Sequence, residues 1–108
     1  MFSIRLKSPH RAKGLGKIIL KWLTKHIFDN YPDIRRIEGQ TREDNILMRK
    51  LFNQCGYIKE AYYRLACPTE DGGRVASVAY GILREDWANS KRTPVLWERD
   101  DYFTSDFI

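Results

Sequence analysis

The first 28 residues contain no aspartate or glutamate, yet Arg5, Lys7, Arg11, Lys13, Lys17, Lys21 and Lys25 all fall there. The remainder holds 12 bases against 14 acids, so the net charge of +5 is a local excess. A local excess suits one anionic ligand better than a surface built to coat nucleic acid. Phosphates of any origin would still be attracted to it. Cysteine is scarce: Cys55 and Cys67 have no metal-ligand spacing and are too few for a disulfide framework, so two reduced thiols are expected and no metal. No apolar run reaches membrane-spanning length, and Arg5 and Lys7 interrupt what would have to be the apolar core of a signal peptide. A cytoplasmic location without membrane contact is the expectation. Repeats and low-complexity segments are also missing. What is present, 43% hydrophobic and 13% aromatic residues in a chain of 108, suits one small globular core.

Phe2, Ile4 and Leu6 alternate with polar residues, the period of a half-buried strand. Ser8-Pro9-His10 breaks it, and Arg11-Ala12-Lys13-Gly14-Leu15-Gly16-Lys17 follows. Two glycines two apart let the backbone turn tightly and approach a ligand. The helix behind aims its positive end at the same point, which together with Arg11, Lys13 and Lys17 makes a diphosphate site. In that helix Ile19, Trp22, Leu23, His26 and Ile27 fall on one apolar stripe, with His26 expected as a hydrogen-bonded core residue. Asn30-Tyr31-Pro32-Asp33 ends it. Ile34 to Gln40 reads as a second strand, although Arg35, Arg36 and Glu38 are many charges for a central position. A strand–helix–strand unit of this length implies a right-handed parallel crossover, with the glycine loop at the C-terminal end of the first strand, where such sheets bind ligands.

Thr41 or Asp44 is expected to cap the next helix. Its apolar stripe is Leu47, Met48, Leu51, Phe52 and Cys55, and Gly56 stops it. Tyr57 to Ala66 and Arg74 to Leu83 read as strands joined through Pro68 and Gly72-Gly73. Tyr57, Tyr62, Tyr63 and Tyr80 are candidates to line a site. Beyond Trp87 the pattern fades. Residues 1–87 form the expected domain, and 88–108 a tail whose Trp97, Tyr102, Phe103 and Phe107 argue that it docks, on this chain or another.

The order of strand, Arg-x-x-Gly-x-Gly loop, helix and strand, followed by Asn45-Ile46-Leu47-Met48-Arg49-Lys50-Leu51-Phe52-Asn53-Gln54-Cys55-Gly56-Tyr57, resembles the GNAT superfamily of acyl-CoA-dependent N-acetyltransferases. Glu60 to Arg64 and Val78 to Trp87 are similar to the closing strands of its ribosomal-protein and small-amine branch. The resemblance implies an α/β (α+β) fold with a mixed sheet, strand-helix-strand-helix-strand-strand. It implies acetyl-CoA as co-substrate and transfer of the acetyl group to a primary amine by direct attack on the thioester. It assigns the pyrophosphate to Arg11, Ala12, Lys13, Gly14, Leu15, Gly16 and Lys17. The pantetheine arm falls to Asn45, and the thioester carbonyl to the main chain near Ile4 and Leu6. Phe52 stands where many members carry a tyrosine that protonates the leaving thiolate; phenylalanine has no proton to give. Tyr62, Tyr63 and Cys55 are then the candidate acids, and Glu38 the candidate base for the ammonium. Met48 departs from the small residue that the motif prefers, and Ala76 from an aspartate common in this branch. The family has further strands and helices ahead of the loop. A sheet without them exposes an edge and an apolar face, so a homo-oligomer, a dimer, is expected. Two alternatives stand beside the enzyme: a catalytically impaired, truncated remnant that binds CoA or assists assembly, and a nucleic-acid-binding domain using the basic helix.

Overall fold

The structure is a computed structural model that describes residues 2–7 and 15–97, with only the backbone for 2–7 and Leu15. Strand β1 (Phe2–Lys7) is followed by helix α1 (Leu15–Asn30), strand β2 (Ile34–Arg42) and helix α2 (Ile46–Gln54). Strands β3 (Ile58–Pro68) and β4 (Arg74–Leu83) and the short helix α3 (Arg84–Asn89) complete the order. The four strands form one mixed sheet in the order β1-β2-β4-β3. β1 and β2 are parallel, as the crossover length requires, and β4 lies antiparallel between β2 and β3.

Side chains alternate along β2, and the two sets meet different surroundings. Ile37 and Gly39 are buried beside Ile82 and Tyr80 of β4, and α1 and α2 close over this face. Leu20, Ile27 and Phe28 from α1 meet Met48, Leu51 and Phe52 from α2 there, with Tyr57 fully buried between them. Arg36, Glu38 and Gln40 point the other way and lie over Gly81 and Ala79. Arg36 binds Glu38 at 3.0 Å and also pairs with Glu60 of β3, while Gln40 donates to Glu38 at 3.1 Å. The charges that seemed excessive for a central strand are therefore a second, polar face. The expected uncovered apolar face is corrected accordingly: small residues floor it and a charged network roofs it.

The buried stripe of α1 is one position off the expected one. Leu20, Thr24, Ile27 and Phe28 are buried, whereas Ile19, Trp22 and His26 face outward. His26 is not a core histidine; its ring stacks on Trp22 at 5.0 Å. Thr24 decides the rotation, since its hydroxyl shares a 2.6 Å hydrogen bond with Tyr57 inside the core. Asn45, not Thr41 or Asp44, caps α2, accepting from the Met48 N–H at 3.1 Å. Thr41 is instead a buried strand residue, and Leu47 is half exposed on the outer side of α2. Tyr57 precedes β3 and belongs to the core.

β3 is an exposed edge strand broken by two register shifts, with Leu65 at φ 52° inside the second. Such irregularity blunts an edge against pairing with another chain. β4 ends at Leu83, the bound expected for that strand, and the chain turns helical at Arg84. The Arg84 guanidinium donates to the carbonyls of Phe28, Tyr31 and Ile34 at 2.7–2.8 Å and covers the Phe28 ring at 4.8 Å. It thus satisfies the Phe28 carbonyl near the end of α1, where Pro32 offers no N–H to continue the helix, and ties that end to the start of β2. No helix among the described residues is long and apolar enough to cross a membrane.

Candidate active site

The C-terminal ends of the parallel strands β1 and β2 lie at one end of the sheet, and α2 begins four residues beyond the end of β2. In register, Ile4 lies beside Ile37, Leu6 beside Gly39 and Lys7 beside Gln40. Arg11, Ala12, Lys13 and Gly14 lie outside the described residues. Leu15, Gly16 and Lys17 form the first turn of α1, where Gly16 is buried, Lys17 is exposed and no acid is present. First-turn N–H groups have no carbonyl within the helix, so this end presents donors and a positive field to an anion. These features fit a diphosphate.

Across the sheet end, Asn45 uses its side-chain oxygen to cap α2, which leaves its amide N–H₂ as a donor. The turn before it is held by Glu43, which sequence reasoning missed. Glu43 accepts from the Ala76 N–H at 2.6 Å and from the Tyr62 hydroxyl at 3.0 Å. Arg49, also missed, donates to the Glu43 carbonyl at 2.9 Å and to the Tyr80 hydroxyl at 3.0 Å. Its position four residues after Asn45, on the helix turn above, is the signal that could have found it.

Phe52 is placed in the core at 1% exposure, stacked on Tyr80 at 5.1 Å and tilted on Tyr57 at 5.2 Å. Its para carbon, where a tyrosine would carry its hydroxyl, rests against Gly39; a Cβ there would overlap the ring. An isolated glycine within a strand marks such a close approach. Gly39 is the register partner of Leu6, so the ring tip reaches the junction of β1 and β2 from the helix side. Glu38 neighbours the same junction from the open face, beside Arg5 in register.

The candidate acids do not converge there. Tyr62 and Tyr63 lie on β3, three strand spacings from β1, about 14 Å at about 4.8 Å each. Both are half exposed, and the hydrogen bond to the Glu43 carboxylate raises the pKa of Tyr62. Cys55 follows the far end of α2, where its thiol contacts the Lys17 carbonyl at 3.7 Å. Burial pushes that thiol up despite Lys21 and Lys17. No group of metal-ligating side chains occurs among the described residues.

A parallel strand pair joined through a helix with an acid-free first turn is an arrangement suited to an anionic ligand. The sequence profile of the acetyltransferase (GNAT) family matches residues 1–57, more than half of the chain. The chain belongs to that family. A spermidine N-acetyltransferase mutant from Vibrio cholerae superposes with a TM-score of 0.67 at 16% identity, covering 80% of this chain and 53% of that one. A GNAT-family acetyltransferase from Bacillus anthracis superposes with a TM-score of 0.59 at 19% identity, covering 67% of this chain and 42% of that one. A dodecameric spermidine N-acetyltransferase from Vibrio cholerae gives a TM-score of 0.67 at 16% identity. At these identities the likeness is one of fold, and the chain spans about half the length of the structures it matches. Comparison with curated proteins finds no match.

Proposed function

We propose that the chain binds acetyl-CoA and supports transfer of its acetyl group to a primary amine. The observation that carries this reading is the acid-free first turn of α1, in the crossover that joins a parallel strand pair, in a chain whose residues 1–57 match the acetyltransferase (GNAT) profile. Arg11 to Lys17 would hold the pyrophosphate, and the Asn45 amide the pantetheine arm. Main-chain groups of β1 near Ile4 and Leu6 would orient the thioester carbonyl. Acetyl-CoA supplies an activated acyl carbon. The amine adds to it, the carbon–sulfur bond breaks, and CoA leaves as thiolate. Positioning and backbone donors account for most of such a rate. Glu38, reached from the open face, is the proposed acceptor for the ammonium proton, directly or through water. A homo-oligomer is proposed with it, through the outer edge of β1, which has no strand partner among the described residues.

A second reading rests on Phe52. A ring without a hydroxyl at the β1–β2 junction removes the acid that a tyrosine at this position of α2 would supply to the thiolate, which favours a chain that binds CoA and turns over poorly. Thiol release from acetyl-CoA, followed with a panel of primary amines including polyamines, separates the two. The enzyme reading expects amine-dependent release that falls at least tenfold in Glu38→Gln. Binding of acetyl-CoA with no amine-dependent release would establish the binding module instead.

A further inference from the structure

Buried hydroxyls among the described residues are paired, with one exception. Thr24 and Tyr57 share a hydrogen bond at 2.6 Å, Tyr80 accepts from Arg49 at 3.0 Å, and Ser77 donates to Gln40 at 3.5 Å. Thr41 is 6% exposed, and its hydroxyl oxygen is the one buried side-chain oxygen or nitrogen among the described residues without a hydrogen-bond partner. An unpaired buried hydroxyl is destabilising, and valine would fill the same space without that cost. Such a group inside a fold calls for a role beyond packing.

Its place in the chain supplies one. Alternation along β2 puts Thr41 on the helix face with Ile37 and Gly39. Gly39, two residues back, lies against the tip of the Phe52 ring and is the register partner of Leu6. Asn45, four residues on, caps α2. The last register pair of β1 and β2 is Lys7 with Gln40, so Thr41 lies just past it, beside Val78 of β4. With the thioester carbonyl at Ile4 and Leu6 and the pantetheine arm at Asn45, the start of the arm passes Thr41. Two strand residues span about 6.7 Å. The first amide of pantetheine stands two methylenes from sulfur, a separation of the same order.

We infer that the Thr41 hydroxyl is a binding contact for acetyl-CoA, hydrogen-bonded to the pantetheine amide nearest the sulfur. The inference rests on the acetyl-CoA reading above. That amide offers both an N–H and a carbonyl, and a hydroxyl either donates or accepts. Threonine has discrete staggered χ1 wells, so one rotation lets the enclosed oxygen turn to a partner when it arrives. A hydroxyl unpaired in the free chain and paired in the complex favours the complex through the arm, not through the phosphates.

The test is calorimetric titration of the full chain with acetyl-CoA and with ADP, which carries the pyrophosphate but no arm. Wild type, Thr41→Val and Thr41→Ser are compared. Thr41→Val should weaken acetyl-CoA by about five- to tenfold and leave ADP within about twofold. Thr41→Ser keeps the hydroxyl and should hold acetyl-CoA within about twofold of wild type. Without ligand, Thr41→Val should melt at or above the wild-type Tm, because a methyl group replaces an unpaired hydroxyl. Unchanged acetyl-CoA affinity in Thr41→Val would overturn the inference. Equal weakening of both ligands would also overturn it, as would a Thr41→Val chain that melts lower or fails to fold, since the hydroxyl would then serve the fold. A wild-type chain that does not bind acetyl-CoA would contradict the acetyl-CoA reading itself, and this inference with it.

Discussion

The two faces of the sheet are made from alternate residues of the same strands, and they are built on opposite principles. On the helix face, Ile37, Val78, Tyr80 and Ile82 meet Phe52, Tyr57 and Phe28 in a packed apolar interior. On the open face, Gly81 and Ala79 carry no bulk, and Arg36, Glu38, Gln40 and Glu60 lie across them in a hydrogen-bonded network. One face derives its stability from area removed from water, the other from partly shielded charge pairs. The comparison teaches where the chain tolerates change. The helix face is rigid and volume-limited; the open face can rearrange at the ends of long side chains.

The largest effect should follow Phe52→Ala, which empties the centre of the packed face. Urea unfolding should show a loss of about 3–5 kcal/mol. Tyr57 gives the next. Burial, opposed by its hydrogen bond to Thr24, raises its phenol pKa to about 12. The unfolded state, with a pKa near 10, loses its proton first as pH rises, while the folded state keeps it. Stability from this residue is therefore fully present below pH 10 and declines between pH 10 and about 12, by up to about 3 kcal/mol. Tyr57→Phe should flatten that alkaline slope in a pH series of denaturation midpoints.

The glycines sharpen the contrast directly. A Cβ on Gly39 meets the Phe52 ring, which packing holds, so Gly39→Ala should cost about 2–3 kcal/mol. A Cβ on Gly81 meets only the Glu60 carboxylate, the end of a flexible side chain, so Gly81→Ala should cost under about 1 kcal/mol. Equal losses would break the comparison. An effect between those of the two glycines is expected for Arg36→Leu. Its pairs are partly exposed, and solvent screens them, so the loss should be about 1–2 kcal/mol and shrink at high salt.

Much of the fold was legible in the sequence because its signals are local. The period of β1, the crossover length and the glycine at position 56 needed no tertiary information. The stripe of α1 was misread because Thr24, polar by type, is buried through its bond to Tyr57 of a distant segment. Trp22, apolar by type, is consequently turned outward. The charges of β2 looked misplaced because one strand's second face becomes visible only when Gly81 and Glu60 are known to lie beside it. At the site, Asn45 and Phe52 were picked out through the family pattern, since neither has a distinctive composition around it. Tyr62 and Tyr63 were chosen by residue type, and the strand order, with β4 inserted between β2 and β3, sets them far from β1. Gly39 went unweighted, although a lone strand glycine carries a physical meaning of its own.

The most direct test of acetyl-CoA binding at the α1 end of the sheet is thermal unfolding with and without acetyl-CoA, in the wild type and in Lys17→Glu. A ligand that binds only the folded chain raises stability by about 2.7 kcal/mol at a hundredfold excess over its Kd. The expected result is a rise in Tm for the wild type that is strongly reduced in Lys17→Glu. An unchanged Tm at millimolar acetyl-CoA, in a wild-type chain that unfolds cooperatively, would contradict the proposed function.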